Sequence, residues 1–123
     1  MQRLSKALSL GITTAALLVS IMVIPATAFA GEAEMIAEGK QIAFNRKKGN
    51  CLACHAIDDG VSPGNIGPPL VQMSSRFPNK AAMRDQIWDA TKRNPGTPMP
   101  PFGRHKILSE GDIDRIAAFI WPL

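Results

Sequence analysis

Two cysteines and a histidine stand together in the segment GNCLACHAI, residues 49–57. Cys51 and Cys54 are the only cysteines in the chain, and His55 directly follows the second of them. Side chains of these types at this spacing serve three kinds of chemistry: a redox-active dithiol, a zinc site, or the covalent attachment of haem. The rest of the sequence favours one of the three.

The first two alternatives lack the scaffold or the ligands that they need. A thioredoxin-like dithiol sits on a βαβ unit, but residues 31–123 contain only two valines and no alternating run of β-branched or aromatic residues. A structural zinc site normally has four Cys or His ligands. The chain has two of each, and the direct adjacency of Cys54 and His55 makes a poor geometry for one ion.

Haem attachment accounts for all three residues. In a C-x-x-C-H motif two thiols add to the haem vinyl groups and the adjoining imidazole becomes an axial ligand of the iron. The haem also adds apolar core to a domain that is too short to bury much surface by itself. The sequence therefore predicts one covalent haem c on Cys51 and Cys54, with His55 on the iron.

The second axial ligand has four downstream candidates. Met99 is favoured because the stretch TPMPP, residues 97–101, restricts the backbone and can hold a thioether rigidly. Met83 falls on the apolar stripe of a predicted helix and Met73 in a loop, so both are interpreted as packing residues. His105 lies between two basic residues and is interpreted as solvated.

The segment NIGPPL, residues 65–70, has two interpretations. A haem-ligating histidine usually donates its other ring N–H to a carbonyl, and the Pro68 carbonyl is a candidate acceptor for His55. The alternative is an ordinary surface turn.

Three helices are predicted, joined by loops rich in proline and glycine. The first covers about residues 33–46, and the second about residues 80–91 with Asn79 as its cap. The last follows Ser109 and repeats apolar residues at helical spacing: Ile113, Ile116, Ala117 and Ile120. The fold class is therefore all-α.

The first thirty residues have the pattern of a cleaved export signal. Arg3 and Lys6 form a basic start, an apolar run follows, and residues 28–30 read Ala-Phe-Ala. Residues 31–123 are then the mature domain, outside the cytoplasm and not in the membrane, although a retained membrane anchor is the alternative. The formal net charge of +4 falls when the leader is removed, so nucleic-acid binding is not indicated.

Residues 31–123 resemble the class I cytochromes c: a glycine-bearing first helix, C-x-x-C-H, Gly-Pro-x-Leu, a loop methionine and an amphipathic last helix. That family resemblance implies that Gly39 lets the first helix pack closely against the last one near Ile116 and Phe119. Four longer blocks resemble the SoxX family, the small monohaem subunits of the sulfur-oxidation cytochromes SoxAX: FNRKKGNCLACHAI (44–57), NIGPPL (65–70), RFPNKAAMRDQIWDAT (76–91) and MPPFGRHKILSEGDIDRIAAFI (99–120).

The SoxX resemblance implies a periplasmic heterodimer with a larger haem-bearing SoxA-type subunit, acting as an L-cysteine S-thiosulfotransferase. That complex joins thiosulfate to a cysteine of a sulfur-carrier protein, while the small subunit passes electrons to another cytochrome. No catalytic residue is assigned to this chain. A free-standing electron shuttle and a haem sensor are the alternatives. Arg46, Lys47 and Lys48 are interpreted either as a docking face for an acidic redox partner or as a solvated helix end.

Overall fold

The computed structural model describes residues 27–123, and this part of the chain is helical with no β-strand. The predicted all-α class is confirmed. Four α-helices and two single turns of 3₁₀ helix follow one another: α1 (Thr27–Phe44), a 3₁₀ turn (Cys51–Ala53), α2 (Met73–Arg76), α3 (Lys80–Trp88), a 3₁₀ turn (Ala90–Lys92) and α4 (Glu110–Ile120).

Helix α1 extends further toward the N-terminus than the sequence pattern predicted. The helix already includes Thr27, the first described residue, and the two alanines among residues 28–30 favour helix there because alanine is the strongest helix former. It ends at Phe44, two residues before the predicted end, where the Gly49 amide bonds the Ile42 carbonyl at 3.2 Å and the chain turns back. The predicted basic start and apolar run of the export signal lie outside the described residues.

Helices α3 and α4 begin at the predicted caps. The Asn79 side chain accepts from the Ala82 amide at 2.8 Å, and the Ser109 hydroxyl accepts from the Asp112 amide at 3.1 Å. Each cap satisfies an amide that has no partner inside its helix. Helix α3 ends at Trp88 rather than near residue 91, because the Asp89 side chain caps a separate 3₁₀ turn through the Thr91 amide.

Helices α1 and α4 cross at Gly39, and this contact holds the two ends of the domain together. A Cβ atom at Gly39 would overlap the Arg115 carbonyl oxygen and lie 3.0 Å from the Phe119 Cβ atom. The predicted close approach near Phe119 is thus confirmed. Beside the crossing, Phe44 meets Phe119 edge to face with ring centroids 5.9 Å apart. Glu38 also pairs with Arg115, with 2.5 Å between Oε2 and Nε.

Gly39→Ala is expected to lower the free energy of unfolding by about 2–3 kcal/mol, because the added methyl group forces two backbones apart in a packed core. Gly111→Ala, on α4, is the matched control. Its added Cβ meets only the end of the Arg115 side chain, which can move, so a change within about 1 kcal/mol is expected. Guanidinium denaturation measures both. Equal effects of the two substitutions would contradict the tight crossing.

The core combines apolar side chains of α3 and α4 with those of the long loops. Its fully buried members include Met83, Ile113 and Ile116, as the apolar stripes of these helices predicted. Within residues 27–123, no helix combines the length and apolar character that crossing a bilayer requires.

Candidate haem site

A cavity of about 880 Å³ opens beside the C-x-x-C-H segment. Cys51, Cys54 and His55 all line it, and Met99 lines it from the other end of the sequence. Apolar side chains form much of the remaining wall: Leu70, Phe102, Leu108, Ile116 and Ile120. Its volume lies within the range of about 300–1,000 Å³ that small-molecule and cofactor sites occupy.

Short-range hydrogen bonds fix the C-x-x-C-H segment. Asn50 adopts a left-handed conformation, with φ 47°, and this turns the chain into the 3₁₀ helix that begins at Cys51. The His55 amide then donates to the Cys51 carbonyl at 2.9 Å. Left-handed backbone is tolerated by asparagine better than by most other residues, which explains its place immediately before the first cysteine.

The His55 ring is oriented by the Gly-Pro-Pro segment. Its Nδ1 atom lies 2.7 Å from the Pro68 carbonyl oxygen, so the predicted hydrogen bond is confirmed. Because a carbonyl only accepts, Nδ1–H donates and Nε2 keeps the lone pair that a metal ligand needs. Gly67, the residue before Pro68, lies directly against the ring, because any Cβ atom at this position would overlap the imidazole. The segment is therefore more than a surface turn.

The cysteine environment does not suit a redox-active dithiol. Burial raises the pKa of the Cys51 thiol to about 11, so this thiol stays protonated near neutral pH. A dithiol oxidoreductase needs the opposite shift, because the thiolate is the attacking species. Both cysteines are free of disulfide bonds. Among residues 27–123 there is also no cluster of His, Cys, Asp or Glu side chains suited to a bare metal ion.

The four candidates for the second axial position separate into two groups. Met99 and Met73 both line the cavity, whereas Met83 and His105 do not. Met73 is 4% exposed, belongs to the buried core and has its sulfur 3.5 Å from Arg76 Nη1. Met99 is partly buried, and its amide donates to the Thr97 hydroxyl at 3.2 Å within the proline-rich loop. The sequence pattern predicted Met73 as a packing residue and gave no sign that it lines the cavity.

Arg76, Gln86 and Arg93 also line the cavity, and their spacing in the sequence assigned none of them a role. They belong to different segments, and no spacing pattern connects them. Of the three basic residues before the motif, Lys48 pairs with Asp112 at 3.5 Å across to α4, and all three are exposed.

The residues present fit a haem group. Two thiols, an imidazole with its metal-binding nitrogen unprotonated, a thioether and a largely apolar wall meet in one cavity of suitable size. No single helix positions these groups. The 3₁₀ turn carries Cys51, and Cys54 follows it directly as its C-cap. The Gly-Pro-Pro segment orients the imidazole, and the proline-rich loop before α4 carries the thioether.

Comparisons with known proteins agree with this geometry. Residues 34–120 match the family model described as "Cytochrome C oxidase, cbb3-type, subunit III". The crystal structure of SoxXA from P. pantotrophus contains a similar chain, with a TM-score of 0.62 and 30% sequence identity. That similarity covers 69% of this chain and 78% of the other.

A curated relative from Aquifex aeolicus (strain VF5), described as an uncharacterized lipoprotein, is 33% identical over 75 residues. The match covers 60% of this chain but only 36% of that protein. The chain thus spans about a third of the length of this relative.

Proposed function

Because the chain belongs to the family of cytochrome c domains matched over residues 34–120, and is a SoxX-like monohaem electron-transfer cytochrome, we propose how its haem is held. Residues 31–123 form a periplasmic domain with one haem c, released by cleavage after Ala30. Cys51 and Cys54 form the two thioether bonds, and His55 and Met99 are the axial ligands. The haem iron supplies one-electron redox chemistry.

The ligands explain why this domain favours electron transfer. Thioether sulfur stabilises ferrous iron, and the apolar wall disfavours the extra charge of ferric iron, so Met99 and its surroundings raise the reduction potential. His55 is held by the Pro68 carbonyl and Met99 by its proline-rich loop. Ligands that stay in place in both oxidation states keep the reorganisation of the site small.

The full assignment is the electron-transfer subunit of a thiosulfate-oxidising heterodimer, an L-cysteine S-thiosulfotransferase with a larger, haem-bearing SoxA-type partner. The observation that carries it is the similarity to a chain of the SoxXA crystal structure at 30% identity. In this reaction a carrier-protein thiol and thiosulfate form a sulfur–sulfur bond and release one proton and two electrons. This domain accepts the electrons one at a time and passes them to a small cytochrome c.

The sulfur chemistry belongs to the partner subunit, and this follows from the groups that remain available. With Cys51 and Cys54 both consumed as thioethers, no thiol is left to hold a sulfur intermediate. With His55 and Met99 both on the iron, no coordination position is open to thiosulfate. This chain therefore stores an electron but does not bind or activate the substrate.

The purified haem-loaded chain alone is expected to exchange electrons readily with small redox mediators and to form no thiosulfonate on the carrier. Adding the SoxA-type subunit should produce the modified carrier in nearly stoichiometric amount. Mass spectrometry of the carrier cysteine, after incubation with thiosulfate and an oxidant, measures this for each subunit alone and for both.

Two results would contradict the assignment. Modification of the carrier by this chain alone would refute the electron-relay role. Failure to form any complex, tested by co-purification from the native periplasm, would favour the free-standing shuttle. Binding of carbon monoxide to the reduced wild-type protein would instead favour the haem sensor, because it requires a vacant or easily vacated iron position.

A further inference from the structure

The charged residues in the cavity wall are all of one sign. Five lysine and arginine side chains line the cavity, and no Asp or Glu among residues 27–123 does. They are Arg46, Lys47, Lys48, Arg76 and Arg93. His55 is the remaining basic group, and its Nδ1 is already bonded to Pro68. A cleft lined by one sign of charge attracts the opposite charge, and the anionic groups of haem are its two propionates.

Position along the chain separates these cations into two sets. The first set, residues 46–48, adjoins Cys51, and Lys48 already pairs with Asp112. Haem bears its propionates on the side of the macrocycle away from the vinyl groups, so cations next to the thioether bonds are poorly placed for them. Arg76 and Arg93 come from other segments, and within the described residues neither forms an ion pair with a carboxylate.

Arg76 is fixed by the segment that orients His55. Its Nη1 donates to the Pro69 carbonyl at 2.8 Å, and the preceding carbonyl, that of Pro68, accepts from His55. Two consecutive carbonyls thus position an iron ligand and a guanidinium. The same Nη1 atom lies 3.5 Å from the Met73 sulfur. A guanidinium has five N–H donors, so these contacts leave donors for a carboxylate.

Arg93 and Gln86 complete this part of the wall. The Arg93 guanidinium carbon lies 5.0 Å from the centre of the Phe77 ring, and stacking of this kind leaves the in-plane N–H donors open to a carboxylate. Gln86 lines the same cavity with its Oε1 atom buried and without a hydrogen-bond partner. Rotating the Gln86 side-chain amide by half a turn exchanges its oxygen and nitrogen atoms, so that N–H donors lie where the Oε1 atom lies now.

We propose that Arg76 and Arg93, with Gln86 as a neutral donor, bind the two haem propionates. The inference rests on the haem attachment proposed above and extends it to the edge of the haem that bears the propionates. Trp88, the last residue of α3, does not line the cavity and is not part of this site. It packs against Gly103 and lies under the Arg84 guanidinium, 5.4 Å from the ring centre.

Arg93→Gln is the main test, with Lys92→Gln as the matched control, because both remove one positive charge and only Arg93 lines the cavity. Midpoint potentials are measured from about pH 5 to about pH 9, and resonance Raman spectra report the propionate bending modes. For Arg93→Gln, the ratio of ferric to ferrous protein at a fixed solution potential should rise about fivefold to tenfold. The propionate modes should shift, and Lys92→Gln should change both much less.

The pH dependence has a predicted sign. An adjacent guanidinium lowers the pKa of a carboxyl group, so its loss raises the propionate pKa. The fall of the midpoint potential that accompanies propionate ionisation should then move to higher pH in Arg93→Gln. Arg93→Lys keeps the charge and should restore the potential, but not the Raman frequency that a bidentate hydrogen bond sets. Arg76→Gln should shift the Raman modes of the second propionate.

Arg93→Gln and Arg76→Gln variants that both match Lys92→Gln in potential, pH profile and Raman spectrum would overturn the propionate assignment. The haem content of each protein is measured first, by its mass. A wild-type protein without covalent haem refutes the attachment and this inference together. Haem-loaded Arg93→Gln and Arg76→Gln variants with unaltered propionate modes refute this inference alone.

Discussion

Replacing both Cys51 and Cys54 with alanine is expected to make the haem almost completely extractable by acidic acetone, whereas the wild-type protein retains its haem under the same conditions. The reason is bond type, since thioether bonds survive conditions that break bonds between iron and its axial ligands. Intact-mass measurement should show the mass of one haem on the wild-type chain and none on the double variant. The protein must be produced in a periplasm that carries out haem attachment.

The single variants make this test more specific. Cys51→Ala and Cys54→Ala should each keep one thioether bond and therefore resist extraction, while the pyridine haemochrome band shifts because one vinyl group remains unsaturated. His105→Ala, which is exposed and outside the cavity, serves as the control and should behave as the wild type. Haem that extracts freely from the wild-type chain would refute covalent attachment.

Met99→Ala is expected to abolish the absorption band that arises from charge transfer between methionine sulfur and ferric iron. It should also change carbon monoxide binding by the ferrous protein from negligible to stoichiometric, because an alanine cannot occupy the axial position. The midpoint potential should fall, since the thioether that favours ferrous iron is removed. Optical titration of the reduced and oxidised protein measures all three changes.

Met73→Ala is the matched control, because Met73 is the other methionine of the cavity wall. It should lower stability by about 2–5 kcal/mol, as expected for removal of a buried methionine side chain, and leave the charge-transfer band intact. Loss of the band in Met73→Ala, with its retention in Met99→Ala, would show that the two methionines have been assigned the wrong roles.

The sequence by itself determined the features that depend on neighbouring residues. The spacing of Cys51, Cys54 and His55 limits the chemistry to a few reactions, because a motif this short sets its own geometry. The caps at Asn79 and Ser109 were predicted correctly for the same reason, since the atoms involved lie within three residues of each other.

The sequence predicted the ends of the helices, and the position of each candidate iron ligand, less well. Helix α3 ends at Trp88 because the Asp89 side chain caps a separate 3₁₀ turn, which competes with the apolar pattern that predicted a later end. The pattern also placed Met73 in a plain loop, whereas it belongs to α2 and lines the cavity. The sequence pattern of an apolar side chain is the same whether the side chain faces the core or a cofactor.

The tertiary structure decided which of the long-range contacts that the sequence left open do form. The 2.7 Å hydrogen bond between His55 and Pro68 and the approach of Gly39 to Arg115 join segments 13 or more residues apart. Met99 comes to line the same cavity as the cysteines by the same kind of long-range packing. No spacing pattern in the sequence joins Arg76 and Arg93 to the basic run at residues 46–48, because the packing of different segments brings them to one cavity wall. Local chemistry is encoded in adjacent residues, whereas a cofactor cavity depends on how the whole chain packs.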